Sequence, residues 1–328
     1  MIREIRVSPR TKGKEHKSMK ILITGGAGYI GSVLVPRFLA EGYEVCVIDN
    51  LMYRQTSLLD SFRNPKFRFV KGDIRDEGLI SSELKKVDGV IPLAAIVGAP
   101  ACAQDELLAS SVNVDANRLL FRLVSKQQFI LMPTTNSAYG TSSKDAYCTE
   151  ESPLNPLSKY AKDKVLIEES LMELPLATSF RLATVFGLSA RMRLDLLVNN
   201  FVHRAYRDKA LVIFEGHFRR NFIHVEDVAQ AFLTAVKKPE VFLGQVFNVG
   251  LSSANITKLD LARLIKAQLP SLVIEESAIG KDPDMRDYVV SNEKIESRGF
   301  TPKYSLQQGI HELIEAMPMF NINLFSNV

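Results

Sequence analysis

The feature that most constrains the fold is an alternation of short apolar runs with longer amphipathic segments between Lys20 and Leu182. The runs have the length and composition of β-strands and are expected at Ile21–Thr24, Glu44–Ile48, Phe67–Lys71, Gly89–Leu93, Phe129–Met132 and Thr178–Leu182. Helical patterns lie between them, near residues 30–41, 76–86, 104–126 and 158–173. Strands that alternate with helices form parallel βαβ units, so we predict an α/β fold with a doubly wound parallel sheet and helices on both faces.

The alternation loosens after Gly187. Helices are expected there near residues 193–207, 225–237, 257–268 and 305–317, with short strands near Leu211–Phe214 and Val246–Val249. The chain therefore divides into a basic extension over residues 1–18, expected to be disordered, a first α/β domain over residues 19–187, and a smaller α/β lobe over residues 188–328 that is partly interleaved with the first.

The net charge of +4 is concentrated at the start of the sequence. Residues 1–20 hold seven basic and two acidic side chains, so the rest of the chain is close to neutral. A neutral body argues against a nucleic-acid surface built into the fold. The extension is either a basic arm or the result of a misassigned start, since Met19 and Lys20 directly precede the first strand.

Cysteine content and hydropathy argue against a disulfide-rich, zinc-binding or membrane-spanning protein. The three cysteines, Cys46, Cys102 and Cys148, are scattered and lack the spacing of a disulfide framework or a zinc site, which favours a reducing cytoplasm and no metal. No apolar run reaches the roughly 18–20 residues of a membrane span, and no signal-peptide pattern is present near the start.

Gly25, Gly28 and Gly31 lie between the first strand and the first helix. In such a turn the first glycine allows the tight bend, the second lets a pyrophosphate approach the backbone, and the third lets the helix pack closely on the strand. The pyrophosphate then lies on free N–H groups at the positive end of the helix. The alternative is a glycine-rich turn that binds no ligand.

Asp49 ends the second predicted strand. A carboxylate there accepts hydrogen bonds from the adenosine ribose hydroxyls and repels a 2′-phosphate, which predicts NAD as the cofactor in preference to NADP. Asp73 and Ile74, after the third strand, are expected near the adenine. The other residues expected to bind the cofactor lie in the glycine-rich turn or at strand ends; they are Tyr29, Ile30, Asn50, Leu93, Ala94 and Ala95.

Tyr160 and Lys164 are spaced i and i+4, which places them on one face of a predicted helix. A tyrosine with a pKa of about 10 is a poor base at neutral pH, and a nearby ammonium group stabilises its phenolate form. Thr135, near the end of the fifth strand, can hydrogen-bond the substrate oxygen that Tyr160 deprotonates. Tyrosine and lysine occur at this spacing by chance often enough that the pair alone decides little.

Together, these residues resemble the extended short-chain dehydrogenase/reductases of the NAD-dependent epimerase/dehydratase family, which act on nucleotide sugars. The resemblance covers about residues 20 to 315. It implies a Rossmann-type domain with a C-terminal substrate lobe, a homodimer joined through helices, and NAD. It also implies oxidation of the sugar at C4, with Thr135, Tyr160 and Lys164 as the catalytic residues.

The resemblance also implies the substrate side of the site. The 4,6-dehydratases need an Asp-Glu pair after the catalytic threonine, whereas this chain has Asn136 and Ser137, so dehydration is disfavoured. We expect these two residues to face the sugar. Arg220 matches an arginine that reaches the nucleotide diphosphate; Asn199 and Arg286 are expected to contact the nucleotide and the diphosphate.

Four stretches are similar to those of GDP-D-glycero-α-D-manno-heptose 4-dehydrogenases within that family; they cover residues 47–52, 92–100, 191–199 and 282–288. Those enzymes stop at the 4-keto sugar, and 2-oxoglutarate reoxidises the cofactor. The sequence therefore predicts an NAD-dependent 4-dehydrogenase of a GDP-linked manno-sugar or heptose. A UDP-glucose/galactose-type 4-epimerase and a non-enzymatic NAD-binding regulator are the alternatives.

Overall fold

The computed structural model describes residues 18–141, 147–277 and 286–320. The predicted basic extension, apart from Ser18, and residues 282–285 of the fourth family-like stretch lie outside the described residues. All three cysteines are buried and free of disulfides. Within the described ranges, no helix is both long and apolar enough to cross a lipid bilayer.

The described strands, in chain order, are β1 (Lys20–Thr24), β2 (Glu44–Asp49), β3 (Phe67–Lys71), β4 (Gly89–Pro92), β5 (Phe129–Thr135), β6 (Tyr147–Cys148), β7 (Ala177–Leu182), β8 (Thr184–Phe186), β9 (Ala210–Phe214), β10 (Arg219–His224), β11 (Gln245–Val249), β12 (Asn255–Thr257), β13 (Val273–Ser277) and β14 (Val289–Val290).

The described α-helices are α1 (Gly31–Ala40), α2 (Glu77–Leu84), α3 (Ala99–Gln104), α4 (Glu106–Ser110), α5 (Ala116–Leu123), α6 (Lys159–Met172), α7 (Leu197–Asp208), α8 (Val225–Lys237), α9 (Pro239–Phe242), α10 (Lys258–Gln268), α11 (Glu293–Ser297) and α12 (Leu306–Ala316).

The largest sheet in the described part of the chain has seven strands in the order β11-β7-β5-β4-β1-β2-β3, and every neighbouring pair is parallel. The predicted doubly wound α/β sheet is confirmed. The chain moves outward from β1 through β2 to β3 and then returns to β4 on the other side of β1. At such a reversal the loops diverge and leave a crevice beyond the carboxyl ends of the strands, where ligands of this fold class bind.

Short sheets, which the sequence indicated only in part, lie outside the large sheet and include strands of the predicted smaller lobe. β10 pairs with β8 in parallel and with β12 in antiparallel orientation, while β9 pairs with β13. Of these, only β9 matches a predicted strand. The strand expected in this lobe at Val246–Val249 is instead β11, the edge strand of the large sheet, because it pairs with β7 over its whole length. The domain division at residue 187 stays a prediction.

The strand β5 and the helix predicted over residues 104–126 differ from the sequence prediction. β5 extends past Met132 through Pro133 to Thr135, because the ladder of β5 with β4 ends at Ile130 and a proline is tolerated where one side of a strand is unpaired. The single helix predicted over residues 104–126 is divided. Asp105 caps α4 through the N–H of Leu108, and a π-helical turn at Ser111–Asp115 separates α4 from α5.

A buried ion pair supports the end of β5. The guanidinium of Arg181 donates from Nη2 to Glu168 Oε1 at 2.6 Å, and both side chains are less than one-tenth exposed, at 6% and 7%. The hydroxyls of Thr134 and Ser179 donate to Glu168 Oε2 at 2.9 and 2.6 Å. The Nε of Arg181 also donates to both carboxylate oxygens, so the buried charge of Glu168 is well compensated, and its contact with Thr134 supports the chain directly before Thr135.

We therefore expect Glu168→Ala to lower the free energy of unfolding by about 3–5 kcal/mol, since it leaves the Arg181 charge buried and unpaired. Urea denaturation followed by circular dichroism measures this loss. The control is Arg63→Ala, which breaks an ion pair whose side chains are 84% and 91% exposed and should cost less than about 1 kcal/mol. Equal losses in the two variants would contradict the role of the buried pair.

Candidate active site

A cavity of about 910 Å³ opens at the carboxyl ends of the central strands and extends to the smaller lobe. This volume is at the upper end of the range for ligand sites, roughly 300–1,000 Å³. Most residues expected from the sequence line it: Gly25, Gly28, Tyr29, Ile30, Gly31, Asp49, Asn50, Asp73, Ile74, Leu93, Ala94, Ala95, Thr135, Ser137, Tyr160, Lys164, Arg220 and Arg286. Asn136 and Asn199 do not.

The glycine-rich turn is shaped by close backbone contacts. A Cβ atom on Gly25 would lie 2.5 Å from the Cα of Ala94, and φ at Gly25 is +67°. A Cβ on Gly31 would lie 2.3 Å from the carbonyl oxygen of Gly26, whereas one on Gly28 would meet only the Gly25 oxygen at 3.1 Å. The first and third glycines therefore allow the packing, and the second leaves the cavity side of the turn open. This arrangement fits a dinucleotide pyrophosphate at the start of α1.

Asp49 lines the same part of the cavity and also holds the turn in place. Its Oδ2 accepts from the N–H of Ala27 at 3.0 Å, and its Oδ1 accepts from the N–H of Leu51 at 2.8 Å. Burial raises the pKa of this carboxyl, while the two backbone hydrogen bonds oppose the rise. A carboxylate has about four acceptor sites, so it can also accept from ribose hydroxyls. Its structural contact with Ala27 was not foreseen from the sequence.

Asp73 lies near Asp49 on the wall of the cavity, but its carboxylate is already engaged. Arg75 donates to Asp73 from its backbone N–H and from Nε, both at 2.9 Å, and the hydrogen bond from the Arg75 side chain lowers the pKa of Asp73. Asn50 accepts from the N–H of Met52 at 3.0 Å. Both residues therefore have structural hydrogen bonds in addition to their place in the cavity.

The cavity brings together the three residues expected to be catalytic. Thr135 is the last residue of β5, and Tyr160 and Lys164 lie on the first turns of α6, which Ser158 caps through the N–H of Ala161. Lys164 Nζ donates to the carbonyl oxygen of Pro133 at 3.2 Å, which ties α6 to the end of β5. The side chain of Lys164 is buried, and this burial lowers its pKa to about 8.

The pKa of Tyr160 differs from the sequence expectation. An adjacent ammonium was expected to favour the phenolate, but burial raises the pKa of Tyr160 to about 12. The nearby charges of Arg286 and Arg193 oppose this rise. Both arginines belong to the later part of the chain, so the acidity of Tyr160 depends on residues from the smaller lobe as well as on α6.

The expected substrate residues occupy different positions. Arg220 is 2% exposed on β10, and its guanidinium lies 5.9 Å from the centre of the Tyr288 ring. Arg286 donates from Nη1 to the hydroxyl of Ser137. Thr135 also donates to this hydroxyl, at 2.9 Å. Arg286 and Thr135 therefore share the Ser137 hydroxyl as a hydrogen-bond partner.

The two asparagines expected to contact substrate are buried away from the cavity surface. Asn199 accepts from the N–H of Gly187 at 3.1 Å and donates to the carbonyl oxygen of Arg193 at 2.9 Å, so its amide stabilises the segment between β8 and α7. Its neighbour Asn200 lines the cavity instead. Asn136 is fully buried, and neither of its amide atoms has a hydrogen-bond partner among the described residues.

Arg191 and Arg193 line the cavity, although the sequence analysis gave them no role. Arg193 forms an ion pair with Asp195, and the guanidinium of Arg191 lies 5.0 Å from the centre of the Tyr53 ring. The available signal was the pair of arginines, with one acidic residue, in the largely apolar stretch after Gly187. Their position on the cavity wall depends on the long-range hydrogen bonds that hold this segment against Tyr29 and Ser32.

Comparison with known proteins agrees with this arrangement. The model of the NAD dependent epimerase/dehydratase family matches residues 21–250. A UDP-glucose 4-epimerase of Mycolicibacterium smegmatis is 31% identical over 313 residues, which cover 90% of this chain and 98% of the relative.

Two solved structures are also similar. A UDP-glucose 4-epimerase from Thermotoga maritima with UDP-glucose is 27% identical, with a TM-score of 0.81. The similarity covers 92% of this chain and 99% of the epimerase chain. A dTDP-glucose 4,6-dehydratase from Bacillus anthracis in complex with NAD is 25% identical, with a TM-score of 0.81, over 94% and 99% of the two chains. NAD, the cofactor predicted from the sequence, is thus also the cofactor in the family's description. The chain belongs to the NAD dependent epimerase/dehydratase family.

Proposed function

We propose that this chain catalyses NAD-dependent oxidation at C4 of a nucleotide-diphosphate sugar. The observation that carries this proposal is the shared cavity: the glycine-rich turn and Asp49 line it together with Thr135, Tyr160 and Lys164. A cofactor site alone would also suit an NAD-binding regulator. The presence of a base, a hydroxyl and an ammonium group in the same cavity favours an enzyme.

The residues of the chain have distinct roles in this oxidation. The glycine-rich turn would hold the pyrophosphate of NAD, and Asp49 would accept from its adenosine ribose hydroxyls. When bound, NAD supplies the hydride acceptor. Tyr160 takes the proton from the C4 hydroxyl in its phenolate form, which the charges of Arg193 and Arg286 favour against the effect of burial, and Thr135 lies beside the C4 oxygen. The ammonium of Lys164, which donates to the carbonyl oxygen of Pro133, would hold the ribose next to the nicotinamide.

The residues after Thr135 favour a product that keeps its C6 oxygen. Elimination at C5 and C6 needs a general acid and a general base, and neither an amide nor a serine hydroxyl serves these roles near neutral pH. Asn136 is buried away from the cavity surface, and the hydroxyl of Ser137 is engaged with Arg286 and Thr135. We therefore propose a 4-dehydrogenase that stops at the 4-keto sugar.

The substrate we propose is a GDP-linked manno-sugar or heptose. This choice rests on the four stretches similar to GDP-heptose 4-dehydrogenases, while the buried Arg220 supports a diphosphate because a guanidinium offers planar, multiple donors to phosphate oxygens. The proposal includes reoxidation of NADH by 2-oxoglutarate, a homodimer and a cytoplasmic location.

A UDP-sugar 4-epimerase is the second candidate. It is favoured by the similarity over most of the chain to the UDP-glucose 4-epimerase of Mycolicibacterium smegmatis. The roles of Thr135, Tyr160 and Lys164 are the same in both reactions. The two functions differ in whether the hydride returns to the opposite face of the keto sugar.

The first prediction concerns the cofactor. Asp49→Asn removes the negative charge and keeps one of the two oxygens that accept from the N–H groups of Ala27 and Leu51, so NADP binding should approach NAD binding. We expect the dissociation constant of NADP divided by that of NAD to fall on the order of 10- to 100-fold. This is the effect of losing one charge-assisted hydrogen bond. Calorimetric titration of both dinucleotides measures this ratio. Asp60→Asn, at a 91% exposed side chain, is the control, and equal affinities in the wild type would contradict the role of Asp49.

The second prediction concerns the base. Tyr160→Phe removes the proton acceptor and keeps the ring, so C4 oxidation should fall by roughly 10²–10⁴-fold while NAD affinity is unchanged. Turnover is followed as NADH absorbance and NAD binding by titration. Tyr206→Phe is the matched control, because Tyr206 is 42% exposed and lies outside the cavity lining. Wild-type turnover in the Tyr160 variant would mean that the proton is accepted elsewhere.

The third prediction concerns the product. The protein is incubated with a panel of GDP- and UDP-sugars, with and without 2-oxoglutarate, and the products are identified by NMR. We expect a 4-keto sugar from a GDP-linked manno-sugar or heptose and no 4-keto-6-deoxy sugar from any member of the panel. A mixture of C4 epimers from UDP-galactose, with no reaction of GDP-sugars, would establish the epimerase instead.

A further inference from the structure

A partly buried ion pair lies on α6 beside Tyr160 and Lys164, formed by the residue that precedes each of them in the chain. Lys159 donates from Nζ to the two carboxylate oxygens of Asp163 at 2.6 and 2.7 Å. The same ammonium donates to the hydroxyl of Ser110, on α4, at 2.6 Å. The side chain of Asp163 is 8% exposed and that of Lys159 is 33% exposed. The pair is therefore buried at its carboxylate end and tied to a second helix at its ammonium end.

Burial distinguishes this pair from an ion pair on a helix surface. Arg204 and Asp208 have the same i,i+4 spacing on α7, but their side chains are 39% and 36% exposed and their charged atoms are 3.8 Å apart. Exposed pairs of that kind are hydrated and contribute little. The carboxylate of Asp163 is largely removed from water, so its charge acts on neighbouring side chains with less screening.

The ammonium of Lys164 has little compensation of its own. Lys164 is 5% exposed, and among the described residues its ammonium makes one hydrogen bond, to the carbonyl oxygen of Pro133 at 3.2 Å. An ammonium carries three N–H donors, and a buried charge without a partner is unfavourable. Burial accordingly lowers the pKa of Lys164 to about 8, while Cys102 and Asp163 oppose this fall.

The other titratable groups on α6 and on the described elements packed against it do not supply a countercharge for Lys164. Glu168, one turn further along α6, is compensated by Arg181 on β7. Burial raises the pKa of the Cys102 thiol on α3, and it raises the pKa of Tyr139 to about 12, so both groups are neutral. The remaining charged side chains of these elements are exposed; they are Glu106 on α4, Asp115 in the π-helical turn, Arg118 and Arg122 on α5, and Lys162 and Glu169 on α6.

We propose that Asp163 is a positioning residue for the reaction, whose carboxylate is the countercharge that keeps the ammonium of Lys164 charged in the cavity. This inference rests on the proposed function, in which Lys164 acts as an ammonium. Lys159 reduces the effect, because its Nζ neutralises part of the same carboxylate, and Ser110 holds Lys159 in that position. Loss of Asp163 and loss of Lys159 should therefore change the charge of Lys164 in opposite directions.

The test is an NMR titration of Lys164 in the full chain, labelled with carbon-13 at the lysine Cε atoms. The Lys164 resonance is identified by its absence in Lys164→Arg, and circular dichroism checks that each variant is folded. In Asp163→Asn the pKa of Lys164 should fall by roughly one pH unit, the effect of losing a nearby opposite charge. In Lys159→Met it should rise, and the double variant should lie between the two single variants.

The matched control is Asp208→Asn, which removes a carboxylate from the exposed pair on α7 and should leave the titration of Lys164 unchanged. Turnover of the reactive nucleotide sugar is the second readout. At about pH 7.5 it should fall about threefold in Asp163→Asn, because the charged fraction of Lys164 falls by that factor when its pKa drops from about 8 by one unit.

The outcomes separate electrostatics from packing. Shifts of the same sign in Asp163→Asn and Lys159→Met would overturn the proposal, since the pair would then act through the packing of α6. An unchanged pKa of Lys164 in Asp163→Asn would overturn it as well. If the pKa shifts as expected but the wild type turns over no nucleotide sugar, the countercharge is supported and the proposed function fails.

Discussion

The position of the glycine-rich turn and of Asp49 in the candidate site depends on the parallel pairing of β1 with both β2 and β4. Because the three strands run in the same direction, the turn after β1 meets the ends of its two neighbours at one edge of the sheet. The N–H of Gly25 donates to the carbonyl oxygen of Ile48 at 2.8 Å, and the N–H of Leu93 donates to that of Thr24 at 2.9 Å. These two hydrogen bonds fix the glycine-rich turn between Asp49 on one side and Ala94 on the other.

The parts of the site that follow from local chemistry could be predicted from the sequence. The turn, Asp49 and the Tyr160–Lys164 pair each depend on residues close in the chain and on strands or helices with strong periodic patterns. The contact of Arg286 with Ser137 joins residues 149 positions apart, and no short-range pattern indicates it. Asn199, expected to contact the nucleotide, is buried and does not line the cavity, and an asparagine that binds nucleotide and one that holds a loop have the same local sequence.

Tyr160 and Lys164, the two side chains on α6 that we propose to be catalytic, illustrate how burial changes charge. Removing water raises the pKa of Tyr160 to about 12 and lowers that of Lys164 to about 8, so both groups are shifted toward their neutral forms. The guanidinium groups of Arg193 and Arg286 provide positive charge that favours the Tyr160 phenolate. Residues from the later part of the chain thus influence the acidity of Tyr160, which spacing on α6 alone does not indicate.

The position of β11 has a consequence for biosynthesis. This edge strand covers the hydrogen-bonding groups of β7, yet it is separated from β7 in the chain by β8, β9, β10 and helices α7 to α9. During translation from the N-terminus, the large sheet therefore remains incomplete until Val249 has left the ribosome. Until then β7 is an unpaired edge, the kind of surface that pairs with other chains and that chaperones protect.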